Sequence, residues 1–413
     1  MAIKWSDRYS SRTSQVDASA IREIFKLTQV PGIISFAGGL PASEMFPVRE
    51  VQEAATRVLK DMGSQALQYS TTEGHLPLRA FIADRISRHG IKADENNILI
   101  TSGSQQAIDL ISRVFIDPGE RVVVERPTFS AALQTFSSYQ AVCMGVDTDE
   151  DGAVISQLEE VIDGSTKFVY IQPNFQNPGG TTLTLERRRE LVATSERHGL
   201  PIVEDDPYYE FRFSGEDLPL LLELDAQQRP GGCHGDGLGE VNIIRMGTFS
   251  KTLAPGLRLG WIVAPRDVIG PLVVAKQAAD LHTSILNQML AYEVIKDGFL
   301  GPHVQRLRVV YRERRDAMLL AMGHHLPEGV HWAVPEGGFF LWVRLPEWLD
   351  AAVLLQEAVK QGVAFVPGVT FFPEDGRQPQ SNTMRLNFSF CTPSVIEEGI
   401  LRLGRALSRQ LEG

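Results

Sequence analysis

The sequence predicts an α/β fold, with a mostly parallel sheet between helices in a large domain and a smaller α+β domain after it. Three observations carry this. The middle of the chain alternates short apolar runs with helix-length amphipathic segments, the pattern of strands joined by crossover helices. After about residue 300 the pattern changes to hairpin-like strands followed by helices. A length of 413 residues with 43% hydrophobic residues supplies a sizeable core without staples.

The elements follow in order. Asn97–Thr101 reads as a strand and Ser104–Phe115 as a helix. Arg121–Val124 is a strand, with a short helix near Ala131–Ser137. Ala141–Val146 and Phe168–Gln172 are strands separated by a helix over Ile155–Val161, and Leu185–His198 is a helix. Pro201–Glu204, Asn242–Met246 and Leu259–Val263 are strands, and the glycine-rich stretch Arg229–Glu240 between them reads as a surface loop. A long helix covers His303–Met322. Strands His331–Val334 and Phe339–Val343, a helix near Ala352–Gln361, strands Val363–Val366 and Met384–Phe388, and a helix Ser394–Leu411 complete the chain. The first 45 or so residues read as a helix (Ser19–Lys26) and an extended arm, packed on the smaller domain or on a partner subunit. The expected division is 1–45 for helix and arm, 46–295 for the large domain and 296–413 for the small one.

Composition excludes several classes of function. The formal net charge is −11, which repels a phosphate backbone and opposes nucleic-acid binding. No apolar run approaches the ~18 residues needed to span a bilayer, and Met1–Ser14 lacks an apolar signal core. Cys143, Cys233 and Cys391 share no metal-type or redox-type spacing. No metal site is expected, and a reducing cytoplasm fits best.

Five segments carry chemistry. Gly247–Gly260 (GTFSKTLAPGLRLG) follows a strand, which places Lys251 on a loop at a strand's carboxyl end, where α/β sheets bind ligands. A lysine can condense with an aldehyde, and nearby Thr248, Ser250 and Arg258 can hold a phosphate. A lone S-K-T would more often be a solvated loop; the longer string is far more specific. Pro201–Tyr209 (PIVEDDPYY) runs an apolar strand into three acids, where Asp205 can keep a pyridine nitrogen protonated and Tyr208 can reach a second atom of the same ring. Thr101–Gln106 (TSGSQQ) opens a helix with small residues that leave N–H groups free for an anion, although an ordinary N-cap looks the same. Gln172–Gly180 contains Asn177, held extended by Pro178 and able to donate to a phenolate oxygen. Met384–Phe388 puts Arg385 within an apolar strand, which taken alone fits the solvated face of a half-buried strand and, beside the other four segments, fits a buried arginine that meets a carboxylate.

Together these residues resemble the fold-type I, class I/II aminotransferases, nearest the 2-aminoadipate and kynurenine aminotransferase branch. The resemblance runs from ISFAGGLP (Ile34–Pro41) through QYS (Gln68–Ser70), SGSQQ, QNPGG, EDDPY, TFSKTLAPGLRLG and PEGGFFLW (Pro335–Trp342) to RLNFSF, in the family order. It implies the pyridoxal-phosphate-dependent transferase fold, with a sheet of the seven-stranded type. It also implies pyridoxal 5'-phosphate as cofactor, bound by Lys251 as a Schiff base, with Asp205 on the ring nitrogen and Tyr208 and Asn177 on the phenolic oxygen. Ser104, Gln105, Thr248 or Ser250, and Arg258 would hold the phosphate, with Gly103 permitting close approach. Phe129 would stack on the ring where the family often has Tyr or Trp, a departure that removes a hydroxyl near the cofactor. Arg385, helped by Asn177, would clamp the substrate α-carboxylate. Arg22 and Gly39 would line the mouth near the distal group, and Tyr69 would reach the neighbouring subunit's cofactor in a homodimer with its active sites at the interface.

The implied activity moves an amino group between an L-amino acid and a 2-oxo acid by a ping-pong course. Glutamate and 2-oxoglutarate are expected as one pair; 2-aminoadipate, an aromatic or a branched-chain amino acid supplies the other. One rival keeps the cofactor and performs decarboxylation, β- or γ-replacement or carbon–carbon bond formation, since fold does not fix function. The other is a cofactor-sensing regulator, disfavoured because the aminotransferase-like pattern begins by about Ile34 and leaves no room for a DNA-binding domain.

Overall fold

The computed structural model describes residues 3–10, 12–13, 32–228 and 238–412. The expected helix Ser19–Lys26, Arg22 and most of the 229–240 loop lie outside them.

The strands are β1 (Ile34–Ser35), β2 (Ile98–Thr101), β3 (Arg121–Arg126), β4 (Val142–Asp149), β5 (Gly152–Ala153), β6 (Thr166–Ile171), β7 (Ile202–Asp205), β8 (Ile243–Thr248), β9 (Gly260–Val263), β10 (His331–Trp332), β11 (Phe340–Arg344), β12 (Val363–Ala364), β13 (Val366–Pro367) and β14 (Thr383–Asn387). Eight of these form one sheet in the order β2-β9-β8-β7-β6-β3-β4-β5. Seven match the apolar runs of the sequence. The eighth, β5, is a two-residue strand folded back on the end of β4. The pairs β8/β7, β7/β6, β6/β3 and β3/β4 are parallel, and β9 runs antiparallel between β8 and β2. β2, β3, β6, β7 and β8 therefore all point their carboxyl ends at one edge.

Alternation along the strands fills a core on each face, because successive strand side chains point to opposite sides. Ile98, Ile100, Val123, Val169, Ile171 and Ile202 pack in one cluster. Leu99, Val122, Val124, Phe168, Tyr170 and Val203 pack in the other. Besides the short helix Leu221–Gln228, four longer helices add to the sequence reading: Val48–Ala66, Leu76–Ser87, Arg266–Asp280 and Ile285–Ile295. The third carries Pro271 in its interior, which breaks the helical pattern on paper. The fourth is apolar around most of its circumference and packs with Val58 and Ala66 of the first, so no polar face marks it.

A second, four-stranded antiparallel sheet has the order β10-β11-β14-β13. Helices Leu300–His325 and Pro393–Glu412 cover it through Met318, Met322, Ile396 and Ile400. β1 pairs parallel with β12, Ile34 opposite Val363, which lays the end of the N-terminal arm on this smaller layer. β10 stops at Trp332, two residues short of the expected strand. Among the described residues no helix is long and apolar enough to cross a membrane.

Candidate active site

The carboxyl edge of the large sheet gathers the sequence-predicted residues, and the small sheet closes over it. Lys251 lies three residues beyond β8. Its Nζ donates to the Gly39 carbonyl at 2.8 Å and sits 5.7 Å from the centre of the Phe339 ring, next to β11. Burial, reinforced by the cations Arg385 and Arg258, lowers the Lys251 amine to about 8. An amine in that range holds a usable share of free base near neutrality, as a nucleophile or proton acceptor must.

Asp205 ends β7 and is buried. Its Oδ2 accepts from the Tyr170 hydroxyl at 2.6 Å and from Gln172 Nε2 at 3.0 Å. Its Oδ1 is buried with no partner. Burial raises the pKa of this carboxyl, while the bonds from Tyr170 and Gln172 and the charge of Arg245 pull it down. An unpartnered buried carboxylate oxygen costs about 1–3 kcal/mol, so this atom calls for a donor from a bound group. Sequence reasoning missed Tyr170 and Gln172. Their signal was the i, i+2 spacing at the end of β6, which puts both on the face that Val203 and Asp205 share on β7.

Tyr208 is buried against Phe339 and Phe340, with ring centroids 5.1 and 5.8 Å away, and burial pushes its phenol pKa up. Asn177 Oδ1 accepts from Arg385 Nη1 at 2.7 Å, and Asn177 N donates to Gln172 Oε1 at 2.9 Å. Arg385 lies in β14 between the rings of Phe340 and Phe371, its guanidinium carbon 4.2 and 4.8 Å from their centres. Nη2 donates to the Ala37 carbonyl at 2.6 Å, and Nε has no partner. Burial lowers the Arg385 pKa to about 10, which still leaves a cation at neutral pH. Among the described residues no carboxylate lies within ion-pairing distance of it. A buried cation held by two neutral acceptors and two aromatic faces is a receptor for an anion.

A separate anion cup forms where β2 meets its helix. Gly103 precedes helix Ser104–Phe115 at φ 84° with no side-chain cap, so the first N–H groups of the helix stay open. A Cβ at Gly103 would come within 2.6 Å of Arg258 Nη2, so only glycine allows that approach. Arg258 Nη2 donates to the Ser102 carbonyl at 3.3 Å, and Ser104 Oγ is buried without a partner. Thr248 Oγ1 lies 2.9 Å from Ser250 Oγ and 3.1 Å from the Leu259 carbonyl, which brings both hydroxyls beside the Arg258 loop. The Gln105 side-chain amide donates to Thr135 Oγ1 at 2.8 Å, and its backbone N–H lies in the first turn of the helix that opens on the cup.

Phe129 is half-buried at the start of helix Ser130–Ser138. Tyr69 is 79% exposed, and its ring meets the edge of His282 at 5.9 Å between ring centres. Gly39 contributes its carbonyl to Lys251. The position of Arg22 lies outside the described residues.

A primary amine near 8, a buried carboxylate with one bare oxygen, and a helix-end cup with an unused hydroxyl together suit an aldehyde-bearing pyridine phosphate. Comparison with known proteins agrees. The family model for aminotransferase class I and II matches residues 32–403. An aromatic-amino-acid aminotransferase of Thermococcus litoralis is 41% identical over 417 residues, covering 99% of this chain and 96% of that protein. The crystal structure of an alpha-aminoadipate aminotransferase from Thermus thermophilus, complexed with N-(5'-phosphopyridoxyl)-L-leucine, superimposes with a TM-score of 0.90 at 42% identity, covering 99% of this chain and 100% of that one. A kynurenine aminotransferase of Pyrococcus horikoshii gives a TM-score of 0.91 at 39% identity, covering 99% of each chain. With the fold and its family both in hand, the chain belongs to the class I and II aminotransferases, as a fold-type I transaminase that depends on pyridoxal phosphate.

Proposed function

We propose that the enzyme moves the amino group of an L-amino acid to a 2-oxo acid by a ping-pong course. Glutamate and 2-oxoglutarate form one pair, and 2-aminoadipate, an aromatic or a branched-chain amino acid supplies the other. The observation that carries this reading is the pairing of Lys251 with an unmatched buried cation. Arg385 has no acid within ion-pairing range among the described residues, and every α-amino acid and 2-oxo acid brings a carboxylate to fill that place.

When bound, pyridoxal phosphate supplies the aldehyde and a protonated ring that draws electrons from the substrate Cα. The chain's own residues do the rest. Lys251 Nζ would anchor the cofactor and would serve as the base that takes up the proton from the substrate Cα. Asp205 Oδ1 holds the proton on the ring nitrogen. The Tyr208 hydroxyl and Asn177 Nδ2 donate to the phenolic oxygen, since Asn177 Oδ1 is already taken by Arg385. Gly103, Ser104, Gln105 through its N–H, Thr248, Ser250 and Arg258 hold the phosphate, and Phe129 covers a ring face. Arg385 orients the α-carboxylate, and Gly39 stands near the distal group, to which the resemblance also assigns Arg22.

The exposure of Tyr69 in the single chain supports a homodimer in which this tyrosine serves the partner's cofactor. The division at about residues 45 and 295 belongs to the same reading, supported by two sheets with separate cores. A screen of amino donors against the yellow holoenzyme tests the substrate assignment. Loss of the cofactor's visible band with glutamate and with 2-aminoadipate, aromatic or branched-chain donors is expected. A stable new long-wavelength band, or release of carbon dioxide, would point instead to another reaction on the same cofactor.

A further inference from the structure

We propose that Asp375 is a positioning residue: it clasps the loop after Phe371 to the end of β3 and the middle of β4 and thereby fixes the aromatic wall against which Arg385 receives the substrate carboxylate. The inference rests on the reading of Arg385 given above and extends it to residues that touch neither substrate nor cofactor.

Residues 374–380 are mostly exposed, so the loop has little apolar anchorage and depends on polar links. Asp375 supplies the centre of these links, with its side chain only 2% exposed. Its Oδ2 accepts from Arg377 Nη2 at 2.6 Å and Nε at 2.9 Å, and Arg126 Nε lies 3.5 Å from it. The two arginines then grip the large sheet and the loop together. Arg377 Nη2 donates to the Gly145 carbonyl at 2.6 Å, and its Nη1 to Asp147 Oδ1 at 3.2 Å, both on β4. Arg126, the last residue of β3, donates to the Gln378 carbonyl at 2.6 Å and sits 5.0 Å above the Phe372 ring.

Gly145 is fitted to this arrangement. A Cβ there would come within 2.8 Å of both Arg377 Nη2 and Asp375 Oδ2. Beside the Arg126 contact on Phe372 comes the wall itself. Phe371 accepts from Thr128 N through its carbonyl at 2.8 Å, while its ring faces Arg385 at 4.8 Å. The segment Arg126–Phe129 thus joins the ring-covering Phe129 to the carboxylate-binding side, and Asp375 locks that joint.

Both substrates carry the same α-carboxylate, so loosening the wall weakens both alike and leaves Lys251 and Asp205 in place. Asp375→Asn should raise KM for the best amino donor and for the oxo acid acceptor together, by about tenfold, with kcat within about twofold and the cofactor absorbance unchanged. Gly145→Ala, which keeps every charge but intrudes on the clasp, should do the same. Arg377→Gln, on a half-exposed side chain, carries the test if either of the other two fails to fold. The proposal is overturned if KM stays at the wild-type value in these variants, or if KM, kcat, cofactor content and melting temperature all deteriorate together. Arg385→Gln separates the two levels. If it raises KM while the clasp variants do not, only the role of Asp375 falls; if it leaves KM unchanged, the reading of Arg385 falls and the clasp proposal with it.

Discussion

Tyr170 donates its hydroxyl to Oδ2 of Asp205 across 2.6 Å, and Gln172 adds a second bond to the same oxygen, so the carboxylate is fixed with Oδ1 free. Removing the donor in Tyr170→Phe should leave the fold intact and weaken the carboxylate's hold on its proton partner. We expect kcat/KM to fall about tenfold, the loss of a hydrogen bond to a charged group. Asp205→Ala should cost at least two to three orders of magnitude, on the scale seen when a preorganised electrostatic partner is removed. Steady-state kinetics on the two variants check the ranking, and an equal effect would contradict it.

The lowered pKa of Lys251 sets a pH dependence for the cofactor-free enzyme. A depressed amine loses its proton at lower pH, so free base accumulates as pH rises through about 8. The rate of covalent cofactor uptake should climb through that range and level off above it. Because Arg385 is one cause of the depression, Arg385→Gln should move the profile to higher pH. Stopped-flow absorbance across pH 6 to 10 would show it; a shift to lower pH would be the wrong sign.

Glu125 is a buried acid that the proposed chemistry does not use. Its Oε2 accepts from Gln172 N at 2.9 Å, and burial raises its pKa from 4.5 to about 8. The folded chain therefore keeps a proton that the unfolded chain releases above 4.5. That proton's contribution to stability is complete below 4.5 and fades as pH rises through about 8. Glu125→Gln keeps an acceptor for Gln172 and removes the titration. Its melting temperature relative to wild type should be higher at pH 8.5 than at pH 5, and thermal melts at the two values would show a flat difference if Glu125 were ionised in the native state.

How much of this was written in the sequence depends on whether a contact is local. Lys251, Asp205, Asn177 and Arg385 were legible because each sits at or just past an apolar run, where strand ends deliver ligand-binding groups. The seven main strands of the large sheet were legible from the same runs. Tyr170 and Gln172 were not, because their role appears only when β6 and β7 lie side by side and their shared face is known. The Asp375 clasp was hidden more deeply, since Arg126, Gly145 and Asp375 meet across more than two hundred residues of chain. Helix Ile285–Ile295 escaped for the opposite reason: buried nearly all round, it shows no alternation to read. The turning of the Gln105 amide toward Thr135 rather than the anion cup depends on a neighbouring helix that the motif does not contain.

If Tyr69 serves the partner's site, two inactive chains can complement each other. A hybrid dimer of Lys251→Ala with Tyr69→Ala holds one site with both defects and one with neither. Mixing the two variants under conditions that exchange subunits should restore activity toward half of the wild-type value per hybrid dimer. Absence of any gain in hybrids isolated by tag would place Tyr69 in its own subunit's site or in none.

The central claim is that Lys251 holds pyridoxal phosphate covalently and moves the proton. Borohydride reduction of the holoenzyme, followed by mass spectrometry of its peptides, tests this most directly. A single phosphopyridoxyl adduct on Lys251 is expected, together with loss of multiple turnover in Lys251→Ala. An adduct on another lysine, no adduct at all, or full activity in the alanine variant would contradict the account.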